Sequence, residues 1–244
     1  MVVPARDEQE RIGACLAGIG RAAAHPALTG IGVHLVVVLD DCRDSTGEWA
    51  ARALAAKAAT SLAHSIVTAS VRNVGRARAI GAAEALIRIG AVDPEAVWLA
   101  TTDADSVVPA DWLAHHLELR RLGADGCAGT VIVDSWGDHP ASFQAAFDAQ
   151  YRPDGRLDYG HPHVHGTSLG VSMAAYLDAG GFAPLATGED HALWQALARA
   201  GRRLVATPMA PVTTSGRRHG RSPAGFAGTL ERLGSIAPVS PEFA

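Results

Sequence analysis

The chain has few cysteines, and they lie far apart. Only three occur in 244 residues, at Cys15, Cys42 and Cys127. An odd number of widely spaced cysteines with no C-x-x-C pair argues against a disulfide framework and against a cysteine-based metal or redox site. Because free thiols suit a reducing compartment, we expect a cytoplasmic protein.

The sequence also lacks a long hydrophobic run, a basic leader and an excess of positive charge. The longest apolar run, 33–39, is interrupted by His34 and is far shorter than the roughly 18 residues that a membrane-spanning helix needs. The 21 lysines and arginines stand against 25 acidic residues, which gives a formal net charge of -4. Such a chain has no overall basic field to hold duplex DNA. We expect neither a transmembrane segment nor a nucleic-acid partner.

What is present is the composition of an ordinary folded domain. Hydrophobic residues make up 48% of the chain and charged residues 19%, far from the values of disordered or collagen-like sequences. A length of 244 residues fits one large domain or at most two small ones. No internal repeat or linker-like stretch divides the sequence. We therefore expect one domain with a substantial core.

Short β-branched segments alternate with longer alanine-rich segments, which is typical of an α/β sheet. Ile12, Leu16 and Ile19 recur at spacings of four and three, which predicts a helix over 6–21. The run 33–39 is nearly all apolar, as expected of a parallel strand that is covered on both faces. Further strands are predicted at 2–3, 65–69, 97–100, 126–133, 168–173 and 204–206. Further helices are predicted at 46–57, 75–89, 109–122, 143–150 and 189–200.

Acidic residues follow two of the predicted strands, where ligands of open parallel sheets bind. Asp40 and Asp41 follow the second strand, and Asp103 and Asp105 follow the fourth. Residues i and i+2 of an extended segment point the same way, so Asp103 and Asp105 can present two carboxylates to one point. Magnesium is typically held by one or two carboxylates together with substrate phosphates. The spacing indicates a site for a metal-bound diphosphate; the alternative is that both acids only begin a turn and cap the helix after Pro109.

Six short motifs follow one another in an order that resembles family 2 glycosyltransferases of the GT-A fold. The resemblance covers about residues 1 to 220. The motifs are Val2-Val3-Pro4-Ala5-Arg6-Asp7-Glu8, Val36-Val37-Val38-Leu39-Asp40-Asp41-Cys42-Arg43-Asp44-Ser45-Thr46, Asn73-Val74-Gly75-Arg76-Ala77-Arg78, Asp103-Ala104-Asp105, Gly180-Gly181-Phe182 and Gly188-Glu189-Asp190.

This resemblance implies a fold, an activity and a division of the chain. It implies a GT-A, Rossmann-like domain over 1–221, with a donor-binding part at about 1–106, an acceptor part at about 107–221, and a C-terminal helix and tail at 222–244. The implied reaction is metal-dependent transfer of a sugar from a nucleotide-diphosphate sugar to a small-molecule or lipid-linked acceptor hydroxyl, with inversion and with Mn²⁺ or Mg²⁺. The Gln-x-x-Arg-Trp motif of processive synthases is absent, which favours a single transfer.

The resemblance also implies roles for individual residues. Asp190 matches the catalytic base of inverting members, and His219 matches a late metal-ligating histidine of some GT-A enzymes. Asp103 and Asp105 match the metal and ribose contacts. The positions that match the donor-binding residues are Pro4, Ala5, Glu8, Asp40, Arg78, Asp103 and Asp105.

Each role has a plainer alternative. Thr187 and Asp190 have the spacing of a helix capping box, in which the acid only caps the helix. Arg78 belongs to a solvated helix face if it does not contact the donor. The basic segment 217–221 either closes over the diphosphate or solvates a tail. The histidines at 161–165 are expected in a loop with acceptor contacts rather than in a zinc site, because no cysteine or acid at ligand spacing joins them.

Two other functions compete with the glycosyltransferase. The segment 166–170 matches Gly-x-Ser-x-Gly, and Ser168, Asp190 and His219 follow the chain order of a serine esterase. That motif needs a strand before the serine and a helix after it, whereas 161–165 is a poor strand and 169–173 is itself strand-like. The other competitor is a GT-A-like domain that binds nucleotide sugars without turning them over, or a related nucleotidyltransferase.

Overall fold

A seven-stranded sheet forms the centre of the protein, which is described by a computed structural model over residues 1–55, 62–137, 139–140, 143–145, 147, 163–217, 220 and 228. The strands are β1 (Val2–Ala5), β2 (His34–Asp40), β3 (Ala63–Ala69), β4 (Trp98–Thr101), β5 (Gly126–Val133), β6 (Leu169–Ser172) and β7 (Leu204–Thr214). The helices are α1 (Ile12–Ala23), α2 (Thr46–Ala55), α3 (Val74–Ile89), α4 (Trp112–Arg121), α5 (Met173–Asp178) and α6 (Glu189–Arg199). No helix among these residues is long and apolar enough to cross a membrane.

The sheet is mixed but mostly parallel. Its strand order is β3-β2-β1-β4-β6-β5-β7. Neighbouring strands are parallel except for β6, which runs antiparallel to both β4 and β5. The predicted fold class is confirmed. Because β1, β2 and β4 are parallel, their carboxyl ends meet at one edge of the sheet, where ligands of such folds bind.

The sheet is covered on both faces, which explains why its inner strands are apolar throughout. Side chains alternate along β2, so that Val37 packs in the core beside α1 and α4, whereas Val36 packs against α3 on the other face. The apolar face predicted for α1, formed by Ile12, Leu16 and Ile19, is buried in the same core as Val37. On the second face, a Cβ at Gly81 of α3 would overlap Val2 of β1, so this close approach of helix and sheet requires glycine.

Most predicted elements are confirmed to within a few residues, and the clearest error concerns the first helix. It begins at Ile12 instead of residue 6. The reason is that the preceding loop is held by the segment after β2: the amide of Glu8 donates to the Thr46 hydroxyl at 2.7 Å, and the Asp7 carboxylate accepts from the amide of Arg43 at 2.7 Å.

The remaining differences lie near the carboxyl half of the sheet. Helix α4 begins three residues later than Pro109. Strand β7 is much longer than the predicted 204–206. Its two prolines and Ala210, which has a left-handed backbone conformation, lie at an irregularity in the strand, but β7 resumes its pairing with β5 beyond that point. The helix predicted at 143–150 and the tail at 222–244 fall largely outside the described residues, so these predictions and the proposed domain division stay predictions.

Candidate functional site

Acidic side chains collect where β1 and β4 end. Val2, the first residue of β1, pairs with Thr101 at the end of β4, so the chain after β4 runs on beside β1 toward the loop that follows that strand. These loops bring Glu8 close to Asp103 and Asp105. Glu8 is buried, the Asp105 side chain is 14% exposed, and the Asp103 side chain is 34% exposed. Several carboxylates in so little solvent require positive charge nearby.

Arg217 supplies part of that charge. Its guanidinium donates to both carboxylate oxygens of Glu8, at 2.8 and 2.6 Å, and its Nη2 lies 3.0 Å from Oδ2 of Asp105. Burial raises the pKa of Asp105 to about 6, an effect that the Arg217 charge opposes and the charges of Asp103 and Glu8 reinforce. The guanidinium therefore acts as a cation shared by two acids from different loops.

The chain that carries Arg217 is fixed in place just before it. The amide of Gly216 donates to Asp134 at 3.1 Å, and Nε2 of His139 donates to the Gly216 carbonyl at 2.7 Å. A Cβ at Gly216 would overlap the carbonyl of Ser135. The position of Arg217 over the acids is therefore set by contacts of the backbone as well as by its own ion pairs.

This edge fits a hard divalent cation that is shared with a diphosphate. Carboxylate oxygens are the ligands such a cation prefers, and the guanidinium already shows that a cation is stabilised beside Asp105. The described residues contain no group of three histidines, cysteines or acids that could hold a metal ion by itself. Phosphate and water oxygens would therefore complete the coordination. His219 lies outside the described residues, and its predicted role as a ligand stays a prediction.

Arg78 is not on a solvated helix face, and that alternative is wrong. The residue is 1% exposed, and its guanidinium donates to three protein groups. Nε lies 3.0 Å from Glu189, Nη2 lies 2.5 Å from Asp103, and Nη1 contacts the Thr101 hydroxyl. Burial raises the pKa of Glu189, while the Arg78 charge lowers it. Arg78 thus joins the loop after β4 to the first turn of α6, and its predicted donor contact stays a prediction.

Asp103 is held on both sides. One carboxylate oxygen accepts from Arg78, and the other accepts from the hydroxyl of Thr167. Neither Thr167, Thr101 nor Glu189 was predicted as a contact of the site. A lone threonine carries no sequence signal for such a role, whereas Glu189 was visible as the first acid of the Glu-Asp pair.

Asp40 is occupied by backbone groups. Its buried carboxylate accepts from the amides of Val71, Arg72 and Asn73 at 2.7, 2.8 and 3.0 Å. It therefore organises the loop that leads into α3, which explains an acid here without any ligand. The predicted contact with a nucleotide base stays a prediction, as do the contacts of Pro4 and Ala5 at the end of β1.

Asp190 lies in the first turn of α6, as expected, but not in a capping box. The residue that caps this helix is Gly188, with a φ of 80°, so Thr187 is not the N-cap. One Asp190 oxygen accepts from the amide of Gly166 at 2.7 Å, and the other accepts from the amide of His191 at 2.7 Å. The carboxylate is only partly buried. It is held in a fixed orientation and keeps lone pairs for a further partner.

The structure does not support the serine-esterase alternative. Ser168 lies in a short 3₁₀ turn, Gly166–Ser168, which leads into a strand rather than a helix. Ser168 is 1% exposed, and its hydroxyl accepts from Nε1 of Trp112 at 3.0 Å. Nearby, the rings of His163 and His165 stack with centroids 6.1 Å apart, and burial lowers the pKa of His165 to about 4. His165 is therefore uncharged at neutral pH.

The mixed sheet and the acids at its edge define a fold of the GT-A class, which solved glycosyltransferases share. The mannosyltransferase PcManGT from Pyrobaculum calidifontis, in complex with GDP-Man and Mn²⁺, matches with a TM-score of 0.65 and 19% identity, over 90% of this chain and 57% of that one. S. aureus TarS 1-349 matches with a TM-score of 0.62 and 12% identity, over 88% of this chain and 59% of that one. M. tuberculosis glucosyl-3-phosphoglycerate synthase, in complex with Mn²⁺, UDP and phosphoglyceric acid, matches with a TM-score of 0.57 and 16% identity, over 97% of this chain and 74% of that one.

The family described as "Glycosyltransferase like family 2" matches residues 1–232. The chain therefore belongs to glycosyltransferase family 2, as its motifs indicate. No curated protein sequence matches it. The chain spans less than two thirds of the length of the first two structures, and the identities are low enough that these likenesses show the fold alone. The reaction follows as a proposal.

Replacing Arg78 by methionine is expected to reduce the free energy of unfolding by about 3–5 kcal/mol, because it leaves a buried carboxylate without its partner. Adding Glu189→Gln should restore part of the loss, since the orphaned charge is then removed. The free energies are measured by urea unfolding, with Arg76→Met as the control at an exposed position of the same helix. Equal stabilities of the Arg76 and Arg78 variants would contradict the assignment.

Proposed function

We propose that this protein is a metal-dependent glycosyltransferase that moves a sugar from a nucleotide-diphosphate sugar to the hydroxyl of a discrete acceptor. The observation that carries the proposal is the convergence of acids at the carboxyl edge of the sheet, where Glu8 and Asp105 share the Arg217 guanidinium and Asp103 pairs with Arg78. Family membership supports it, as do the GDP-Man and Mn²⁺ of one structural neighbour and the UDP and Mn²⁺ of another.

The donor half of the reaction concerns charge. Breaking the bond between sugar and phosphate leaves a diphosphate with growing negative charge. When bound at Asp105, a divalent cation, Mn²⁺ or Mg²⁺, stabilises that charge without proton transfer. Arg217 contributes a second positive group at the same edge. Asp103, held by Arg78 and Thr167, provides a fixed acceptor for a donor hydroxyl, as the ribose contact requires.

The acceptor half concerns a proton. The attacking hydroxyl loses its proton as it reaches the anomeric carbon, and a carboxylate within hydrogen-bond distance takes it. Asp190 fits this role because the Gly166 amide orients its carboxylate while leaving it partly exposed. We propose direct displacement with inversion and a single transfer to a small-molecule or lipid-linked acceptor. The free thiols Cys15, Cys42 and Cys127 support a cytoplasmic location.

Asp105→Asn is expected to abolish Mn²⁺-dependent binding of nucleoside diphosphates, because a neutral amide is a poor ligand for a hard cation. Binding of UDP and GDP with and without Mn²⁺ is measured by calorimetry on the full chain. Asp111→Asn, at an exposed acid that makes no capping bond, is the matched control. A variant that binds nucleotide with Mn²⁺ as the wild type does would refute Asp105 as the ligand.

Arg217→Gln is expected to strengthen Mn²⁺ binding several-fold when no nucleotide is present, because the guanidinium competes for Asp105. With UDP or GDP added, the same variant should lose affinity, since the diphosphate loses a cationic partner. Manganese binding is followed by electron paramagnetic resonance of the free ion. Arg88→Gln removes the same charge far from the site. Weaker manganese binding by the Arg217 variant alone would argue against competition.

Asp190→Asn is expected to leave donor binding nearly unchanged and to reduce transfer at least a hundredfold, within the range typical of a lost general base. The amide oxygen can still accept from Gly166, so the local structure is preserved. Release of labelled sugar from UDP-glucose and GDP-mannose is measured in the presence of Mn²⁺. Transfer at the wild-type rate would show that Asp190 is not the base, and a wild type that binds these donors without turnover would identify a non-catalytic domain.

A further inference from the structure

One three-residue turn contacts both acids of the proposed reaction. In the turn Gly166–Ser168, the amide of Gly166 donates to Asp190 at 2.7 Å, and the hydroxyl of the next residue, Thr167, donates to Asp103. Resting on the proposed function, we infer that this turn sets the position of the catalytic base relative to the donor site, and that Thr167 is its positioning residue.

The turn is firmly anchored in the sheet. Its last residue, Ser168, accepts from the indole of Trp112 on α4, and the Ser168 amide donates to the carbonyl of His165 at 2.9 Å. A Cβ at Gly129 of β5 would overlap the Ser168 hydroxyl, so the turn lies directly against that strand. The serine that suggested a nucleophile is therefore an anchor. Gly166 and Thr167, the two residues before it, therefore contact the acids from a turn that is held in place.

Arg78 reinforces the same arrangement from the other side. A Cβ at Gly166 would lie 2.8 Å from the central carbon of the guanidinium, so the absence of a side chain allows Arg78 to pack against the turn. Arg78 in turn binds Asp103 and Glu189, and Glu189 precedes the base in α6. Each acid is thus linked to the turn directly and through this guanidinium. Because both links converge, a displaced turn would move both acids.

The chemistry requires such coupling. Asp103 follows β4, whereas Asp190 lies in the first turn of α6, so 86 residues separate them in the chain. The reacting hydroxyl and the departing phosphate must lie on opposite sides of one sugar carbon, and a misplacement of about 1 Å can cost about a hundredfold in rate. A rigid turn between the two acids fixes their separation before either substrate binds. The turn contacts one oxygen of Asp103 through Thr167, and Arg78 contacts the other, so this carboxylate is fixed from two sides.

The positioning role of Thr167 can be tested with closely matched variants. Thr167→Val keeps the shape and deletes the hydroxyl, whereas Thr167→Ser keeps the hydroxyl. Thr102→Val is the control, because the Thr102 hydroxyl is buried and has no hydrogen-bond partner in the described structure. The measurements are the Kd for UDP and GDP with Mn²⁺, kcat and KM for sugar release from UDP-glucose or GDP-mannose, and the unfolding temperature of each variant.

Thr167→Val should weaken nucleotide binding several-fold through Asp103 and, at saturating donor, lower kcat by about 10- to 100-fold through Asp190. Thr167→Ser should restore both to within about threefold, because the hydrogen bond returns. Thr102→Val should match the wild type. Gly166→Ala is a second, independent variant, which should lower kcat by pressing a methyl group against Arg78.

The outcomes separate the inference from the proposed function. If the wild type releases sugar and Thr167→Val and Gly166→Ala keep its kcat and nucleotide Kd, the inference is wrong and the glycosyltransferase stands. The inference is also wrong if Thr167→Val only lowers the unfolding temperature, or if serine fails to rescue it. A wild type with no manganese-dependent binding or sugar release overturns the proposed function, and the inference with it.

Discussion

The site depends on the neutralisation of closely spaced acids by two arginines. Glu8, Asp103 and Asp105 gather at the edge of the sheet, and Glu189 is buried behind them. Without positive charge, so many carboxylates in little solvent would repel one another or take up protons. The two guanidiniums offset the repulsion among these carboxylates and connect the loops and the helix that carry them.

The two arginines have different roles because they differ in burial and in origin. Arg78 is enclosed by the protein and satisfies acids on two elements, so its ion pairs form part of the folded structure. Arg217 lies just after the C-terminal end of β7, and its side chain is 24% exposed. Its partners are Glu8 and Asp105, the acids at which we propose that the metal and the diphosphate bind. One arginine therefore holds the frame of the site, while the other supplies charge that a ligand can redistribute.

Hydrophobic spacing in the sequence correctly predicted secondary structure, whereas contacts between residues that are distant in the chain were not predicted. The helical spacing of Ile12, Leu16 and Ile19 correctly predicted a buried face, although the helix start was wrong because tertiary hydrogen bonds to the preceding loop compete with helix formation. The Gly-x-Ser-x-Gly match was misleading, since Ser168 is an anchor beneath Trp112. Nothing in the sequence marked Thr167, because a threonine in a loop gains its role only from the acid that folding brings beside it.

By itself the amino-acid sequence determined the α/β class, the family and the strand ends at which acids would collect. Those features are local or periodic, so hydrophobic spacing and short motifs record them. Only the tertiary structure decided that Arg78 is buried, that Asp40 is engaged by three amides, and that Arg217 bridges Glu8 and Asp105. These are pairings between residues that lie far apart in the chain, and their strength comes from the low local dielectric that exists only once the protein has folded.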